Sequence, residues 1–167
     1  MHTWYLISVW LHILGAIVWI GGMVFLGVVI VPILREAPFE HVRSAMLYRI
    51  GLKFRWVGWM VLALLVVTGI TNLGHRGYGW ADAVNGVLWS GPWGNLLAWK
   101  VGLVVIVLAG SAWHDFWIGP RAAKLMESDP GSSEAKALRR TASYAGRVML
   151  LASLVILALA VMLVRGW

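Results

Sequence analysis

Four long apolar stretches alternate with shorter polar segments along the chain. They cover about residues 4–34, 56–73, 93–118 and 148–164. Each is long enough for a helix to cross a hydrocarbon layer about 30 Å thick, which takes roughly 20 residues. None shows the strict alternation of polar and apolar residues that is typical of a membrane β-strand. The pattern therefore predicts an all-α protein, an integral membrane four-helix bundle that forms a single domain over residues 1–167.

Composition narrows the possible chemistry. Hydrophobic residues make up 60% of the chain and charged residues 13%, against roughly 45–50% and about 25% in a soluble domain. The chain has no cysteine, which excludes disulfides, thiolate metal sites and iron–sulfur clusters. No phosphate-binding loop, nucleophile elbow or zinc-protease helix is present. Any metal must therefore be bound by histidine, methionine, carboxylate or backbone oxygen, and no catalytic residue is assigned.

The positive charge is distributed unevenly between the polar segments. The chain carries 14 Lys and Arg against seven Asp and Glu. Eleven of the 14 lie after the first or third stretch, up to the start of the fourth: Arg35, Arg43, Arg49, Lys53, Arg55, Arg121, Lys124, Lys136, Arg139, Arg140 and Arg147. Cytoplasmic loops carry such an excess, so both termini are predicted outside. The bilayer is the expected partner, and the charge gives no reason to expect nucleic-acid binding.

The two predicted cytoplasmic loops contain helical signals of their own. Apolar residues recur at helical spacing between residues 39 and 50, with Arg43 and Arg49 on the opposite side. This segment is either an interfacial helix or an extension of the second membrane helix. In the other loop, Ser132 is a candidate N-cap for a helix that follows it.

His12 is the ionisable residue that lies deepest in the first stretch. It falls roughly 12 Å from the outer end of that helix at 1.5 Å per residue. Its helical face also carries Ser8, Gly15, Trp19 and Gly22, and the glycines allow close approach of another helix or of a flat cofactor. A neutral imidazole binds iron or copper through one nitrogen when the other is hydrogen-bonded. The alternative is a structural histidine that bonds to a neighbouring helix.

Three further residues are candidates for a site in the outer half. His75, at the outer end of the second stretch, is either a metal ligand or a surface histidine, and its depth differs from that of His12. His2 lies on the same side and is a weaker candidate ligand. Lys100, one or two turns into the third stretch, either extends to the interface or faces His12 and pairs with an anionic group.

At the inner end of the third stretch, His114 is followed by Asp115. Arg121 and Arg147 are expected nearby. The group is a proton relay, a ligand set or an interfacial salt-bridge cluster.

Several short runs resemble a known family. Residues 11–22 (LHILGAIVWIGG) resemble the opening helix of the copper-resistance D membrane family. Residues 68–73 (TGITNL), 97–100 (LAWK) and 114–121 (HDFWIGPR) resemble parts of its later helices. The first run and LAWK are also similar to the small bacterial membrane protoporphyrinogen oxidase, which binds haem b. That second resemblance implies that His12 and Lys100 form a functional pair, whereas the segment around His114 follows the copper-resistance pattern.

Residues and resemblance together favour a His-ligated redox metal centre, haem b or copper, in the outer half of the bundle, for electron transfer or copper handling. The resemblance implies the bacterial cytoplasmic (inner) membrane. The candidate cofactor-binding residues are His12, His75, Lys100 and His114, with His12 and His75 as metal ligands. In a haem site, Lys100 or Arg76 would pair with propionates. This interpretation leaves open a haem-dependent oxidoreductase, a membrane redox partner and a homo-oligomer.

Two alternatives belong to other functional classes. One is copper transport or delivery without haem through the outer histidines, because imidazole suits copper. The other is a structural subunit of a larger membrane complex, with the glycine faces and the Trp-rich outer loop as contacts.

Overall fold

The computed structural model describes residues 2–129 and 132–166, except for the side chains of residues 2, 123, 126 and 127. Within that part the chain is helical almost throughout and contains no strand. Four of its helices are long and apolar enough to cross a membrane: Thr3–Ile33, Arg43–His75, Gly91–Ala122 and Ser133–Arg165. We call them the first to fourth spans. The predicted all-α class and the four membrane helices are confirmed.

Burial follows the pattern of a membrane protein. Large apolar side chains such as Trp10, Ile17 and Val105 are exposed on the outside of the bundle. The buried set includes four small polar residues, Ser8, Thr68, Ser111 and Ser153. Because lipid is as apolar as leucine, small residues that let helices approach closely are favoured between them. The exposed apolar surface is the part that lipid would cover.

Two of the helices extend far beyond their apolar stretches. The second span begins at Arg43 and the fourth at Ser133, because the polar residues ahead of each stretch contain no proline to stop the helix. Residues 43–55 are therefore an extension of the second span, and the prediction of a separate interfacial helix is wrong. The predicted cap is confirmed, since the Ala135 N–H donates to Ser132 Oγ at 3.1 Å.

The first and third spans each contain one widened turn. Leu26–Ile30 and His114–Ile118 are π-helical, and each lies two residues before a proline, Pro32 or Pro120. Proline cannot donate a backbone hydrogen bond, and its ring clashes with the carbonyl four residues earlier. The backbone responds with bonds that reach back five residues, such as that from the Gly119 N–H to the His114 carbonyl.

The spans pack as two hairpins around a central layer. The first span packs on the second and the third on the fourth, and the first also contacts the fourth. Between them lie Trp19, Leu62 and Val107, which we call the central layer. The Trp19 indole N–H donates to Ser153 Oγ at 3.0 Å across the bundle. Gly58 leaves room for the indole, since a Cβ there would lie 2.9 Å from Trp19 Cζ3.

The central layer divides the bundle into two ends. The termini end contains residues 2–15, 65–100 and 157–166, and the arginine-rich end contains residues 26–55, 114–129 and 132–147. The second name refers to the eleven cations described above. The orientation of these ends in a membrane, with the termini outside, stays a prediction.

Candidate functional site

His12 is held by one hydrogen bond across the first hairpin. Its Nδ1 lies 2.7 Å from Thr68 Oγ1, and that hydroxyl is 2.6 Å from the carbonyl of Leu64 in its own helix. A hydroxyl has one proton, which is committed to the carbonyl, so Nδ1 must donate. The imidazole therefore carries its proton on Nδ1 and a free lone pair on Nε2. A histidine in this state is ready to bind a metal or accept a proton.

The glycines beside His12 are covered by the second span. A Cβ on Gly15 would lie 3.2 Å from Leu65 Cδ2, and one on Gly22 would lie 2.5 Å from Phe54 Cε2. Of the two uses predicted for this face, the structure shows close approach of a helix. The glycines fix the distance between the two spans and so bring His12 within reach of the Thr68 hydroxyl.

Lys100 lies beside the imidazole at the termini end, and Arg76 lies beyond Lys100. Lys100 is half-buried, and its charge is close enough to interact with both His12 and Arg76. The Arg76 guanidinium lies over the Trp93 ring at 5.5 Å from its centroid. Among the described residues, the ion pairs are His114–Asp115 and Arg121–Glu134, so neither cation faces a carboxylate. The site therefore has excess positive charge and attracts an anion.

Asn72 contributes an unused hydrogen-bond acceptor one turn after Thr68. Its Oδ1 is buried and has no partner among the described residues. A buried acceptor without a donor costs about 1–3 kcal/mol, so such groups usually mark a bound water or ligand.

The structure does not bring His75 to His12. His75 is exposed, its Nδ1 bonds to the Thr71 carbonyl at 2.9 Å, and its ring packs against Tyr5. It follows Thr68, the partner of His12, by seven residues, or about 10 Å along the helix. The side chain of His2 lies outside the described residues. Within the described part of the chain, no three His, Asp or Glu side chains form a ready metal site.

The loop between the second and third spans is anchored to the termini end. Tyr78 stacks on Trp93 with ring centroids 5.4 Å apart, and the Trp93 indole N–H donates to the Leu163 carbonyl at 3.2 Å. Because Arg76 lies over the same Trp93 ring, this stack ties the guanidinium to the third and fourth spans.

His114 belongs to a separate network at the arginine-rich end. Its Nδ1 lies 3.0 Å from Asp115 Oδ1, while Asp115 Oδ2 accepts from the Trp59 indole N–H at 3.0 Å. The Asp115 carbonyl accepts from Arg55 Nη1 at 2.9 Å. These bonds join the second and third spans. The central layer separates the network from His12, so the two histidines do not share a site.

Of the two cations predicted near Asp115, Arg121 has another partner, and the proximity of Arg147 stays a prediction. Arg121 instead lies 3.9 Å from Glu134, and Asp115 is bonded to Arg55 and Trp59 of the second span. The π-helical turn at 114–118 rotates the residues that follow relative to a regular helix, which moves Arg121 towards the fourth span. Arg121 was therefore the wrong partner.

Thr68 and Asn72 are the site residues that sequence reasoning undervalued. Both appear in the run 68–73 that carries the family resemblance, but the expected neighbour was His75 at the end of the same helix. The available signal was the pairing of a buried hydroxyl with His12 at similar depth in two antiparallel helices.

Comparison with known proteins places the chain in a family. Residues 48–163 match the family described as copper resistance protein D. An uncharacterized protein of Aquifex aeolicus (strain VF5) is 32% identical over 113 residues, which cover 67% of this chain and 68% of that protein. No solved structure matches. The family match includes Lys100 and His114, whereas His12 precedes it. The chain is thus a multi-pass membrane protein that belongs to the copper resistance protein D family.

Proposed function

We propose that the protein holds a redox metal centre at His12, with haem b as that centre, and serves copper handling or electron transfer in the bacterial cytoplasmic membrane. The observation that carries the proposal is the free Nε2 of a half-buried imidazole beside Lys100, with Arg76 beyond it and no described carboxylate paired with either cation. Family membership supports the link to copper.

The two cations favour a metal that brings its own negative groups. A bare copper ion near Lys100 and Arg76 would be repelled, by about 2 kcal/mol for each pair of unit charges 8 Å apart at an effective dielectric constant of 20. Haem b carries two propionate carboxylates and needs only an imidazole from the protein. His12 would bind the iron, while Lys100 and Arg76 would pair with the propionates.

The residues around His12 determine which parts of haem b the site could hold. Thr68 fixes the tautomer and orientation of His12, and Asn72 Oδ1 offers an acceptor to a bound water or protonated group. Leu65 and Phe54 cover the glycine face, so the fit rests on Nε2 and the two cations. When bound, haem b supplies a one-electron iron couple.

Copper bound directly is the second candidate, because the family is named for copper resistance. Copper would then be cargo, held by His12 and passed on in transport or delivery. His75 is too far along the second span to share an ion with His12 in this arrangement, so it would serve as a separate entry ligand near the surface.

The decisive experiment is a visible spectrum and a metal analysis of the protein purified in mild detergent, with His12→Ala and the matched control His114→Ala. We expect a Soret band and one iron per chain, both lost in H12A and kept in H114A. Copper without a Soret band, lost in H12A, would establish the second candidate. Equal loss in both variants, or no metal, would refute a centre at His12 and favour a structural subunit.

A further inference from the structure

A cavity of about 410 Å³ opens between the first two spans at the arginine-rich end. It lies on the far side of the central layer from His12. Its walls are almost wholly apolar, although two of its lining residues are cations, so the aliphatic stems of these cations form wall and their charged heads lie at the rim. The lining residues are Leu26, Arg49, Ile50, Lys53, Phe54 and Val57.

Phe54 lines the cavity and also packs against the central layer. Gly22 has no side chain, and the Phe54 ring occupies the space that its Cβ would need. The same ring stacks on Trp19, with centroids 6.1 Å apart and planes 20° apart. Phe54 thus leans towards the central layer, while the first span widens into its π-helical turn at Leu26. The space between Leu26 and Ile50 is left unfilled.

The two cations at the rim form no ion pair with any side chain that the structure describes. Arg43 donates to the carbonyls of Leu34 and Arg35, and so closes the end of the first span. In contrast, Arg49 and Lys53 are exposed and form no ion pair among the described residues. Residues four apart on a helix are neighbours on one face. The Arg49 guanidinium and the Lys53 ammonium group can therefore reach the same anion.

The surroundings place the rim at the level of lipid headgroups. The apolar stretch of the second span begins at residue 56, and Trp56 is 70% exposed on the outside of the bundle. Tryptophan is enriched at the boundary between hydrocarbon and headgroups. Lys53 and Arg49 precede Trp56 by three and seven residues, or about 5 and 10 Å along the helix. The apolar cavity therefore meets the cations where a phosphate meets an acyl chain.

We infer that this cavity binds an anionic phospholipid, with the phosphate at Arg49 and Lys53 and one acyl chain against Leu26, Phe54 and Val57. Basic pockets between membrane helices bind anionic headgroups in this way. The inference concerns the opposite end of the bundle from the proposed metal centre and does not depend on it.

Native mass spectrometry of the delipidated protein, titrated with phosphatidylglycerol or phosphatidylcholine, tests the inference. We expect one tightly bound phosphatidylglycerol and weak binding of phosphatidylcholine. The double variant R49Q/K53Q should weaken phosphatidylglycerol binding about thirtyfold, from about fivefold for each cation near a lipid surface. The matched control R139Q/R140Q removes two exposed charges from the same end and should bind like the unaltered chain.

Two further measurements distinguish a lipid headgroup from free phosphate as the anion bound at Arg49 and Lys53. Inorganic phosphate at millimolar concentration should not displace the lipid, and Val57→Trp, which fills the cavity, should weaken lipid binding while Arg49 and Lys53 remain. Displacement by phosphate would mean a free-anion site and would overturn the inference. So would equal losses in R49Q/K53Q and R139Q/R140Q, or equal affinity for the two lipids. Leu26→Trp replaces Val57→Trp if that variant does not fold.

Discussion

The polar groups at the two ends of the bundle are satisfied in opposite ways. At the arginine-rich end, Asp115 accepts hydrogen bonds from Trp59 and Arg55 and lies against His114. At the termini end, His12 uses one nitrogen, while Lys100 faces no described carboxylate. Polar side chains at membrane depth are costly. Those that satisfy one another hold helices together, whereas those left over point to a ligand that the chain does not contain.

A substitution in the central layer, between the two ends, should have the largest effect on stability. Gly58→Ala would place a Cβ 2.9 Å from Trp19 Cζ3, and we expect the free energy of unfolding to fall by about 3 kcal/mol, at the upper end for overpacked sites. Equilibrium unfolding by SDS in mixed micelles measures it. Gly21→Ala is the control, since nothing lies within 4 Å of that Cβ. If the ends are independent, metal content per folded chain stays unchanged; a loss of metal would contradict the division.

Removing the Asp115 carboxylate, which accepts hydrogen bonds in the network at the arginine-rich end, should lower stability somewhat less. Asp115→Ala leaves the Trp59 indole N–H and His114 without their partner, and we expect the free energy of unfolding to fall by about 2 kcal/mol, about 1 for the interhelical bond from Trp59 and about 1 for the bond to His114. Asp115→Asn keeps an acceptor for the indole and should retain about half of that stability. An Asp115→Ala variant as stable as the unaltered chain would show that the network is not structural.

The orientation of His12 can be tested without touching the imidazole. Thr68→Val removes the hydroxyl that accepts from Nδ1. The affinity of His12 for metal should then fall about tenfold, as it does when other partners of metal-binding histidines are removed. Visible absorbance during metal titration gives the affinity. Thr68→Ser keeps the hydroxyl and should restore binding; equal affinities in all three proteins would rule out a positioning role for Thr68.

The smallest effect has the opposite sign. Lys100→Met removes a half-buried cation that has no carboxylate partner, and we expect the free energy of unfolding to rise by about 1 kcal/mol, less than the cost of a lysine at the bilayer centre. The same change should weaken the metal centre. Arg55→Met removes a cation that donates to the Asp115 carbonyl, and this variant should instead lower stability. If both variants shift stability in the same direction, the contrast between the two ends fails.

The four membrane helices could be predicted from the sequence, but the residues at which some of them begin could not. Hydropathy determines the four spans because each must satisfy its own backbone in lipid. The second span begins at Arg43, after a turn in which the Arg43 guanidinium donates to the Leu34 carbonyl. A bond from a side chain to the backbone across a turn has no signature in hydrophobic periodicity.

The candidate site was predicted in part for a related reason. His12 and Lys100 stand out because ionisable residues are rare at membrane depth. The bond from His12 to Thr68 depends on how far two antiparallel helices slide past each other, and one residue of slip moves a contact by about 1.5 Å. The partners of Asp115 depend on a π-helical turn, which a regular helical wheel does not represent.

The central layer also has an electrical consequence. Trp19, Leu62 and Val107, with the side chains packed around them such as Met149 and Ile156, form a slab of low dielectric constant without ionisable groups. Moving an elementary charge through this slab against a transmembrane voltage would cost up to about 2.3 kcal/mol for each 100 mV. A proton at His12 therefore has no side-chain relay through the described residues of the central layer to His114.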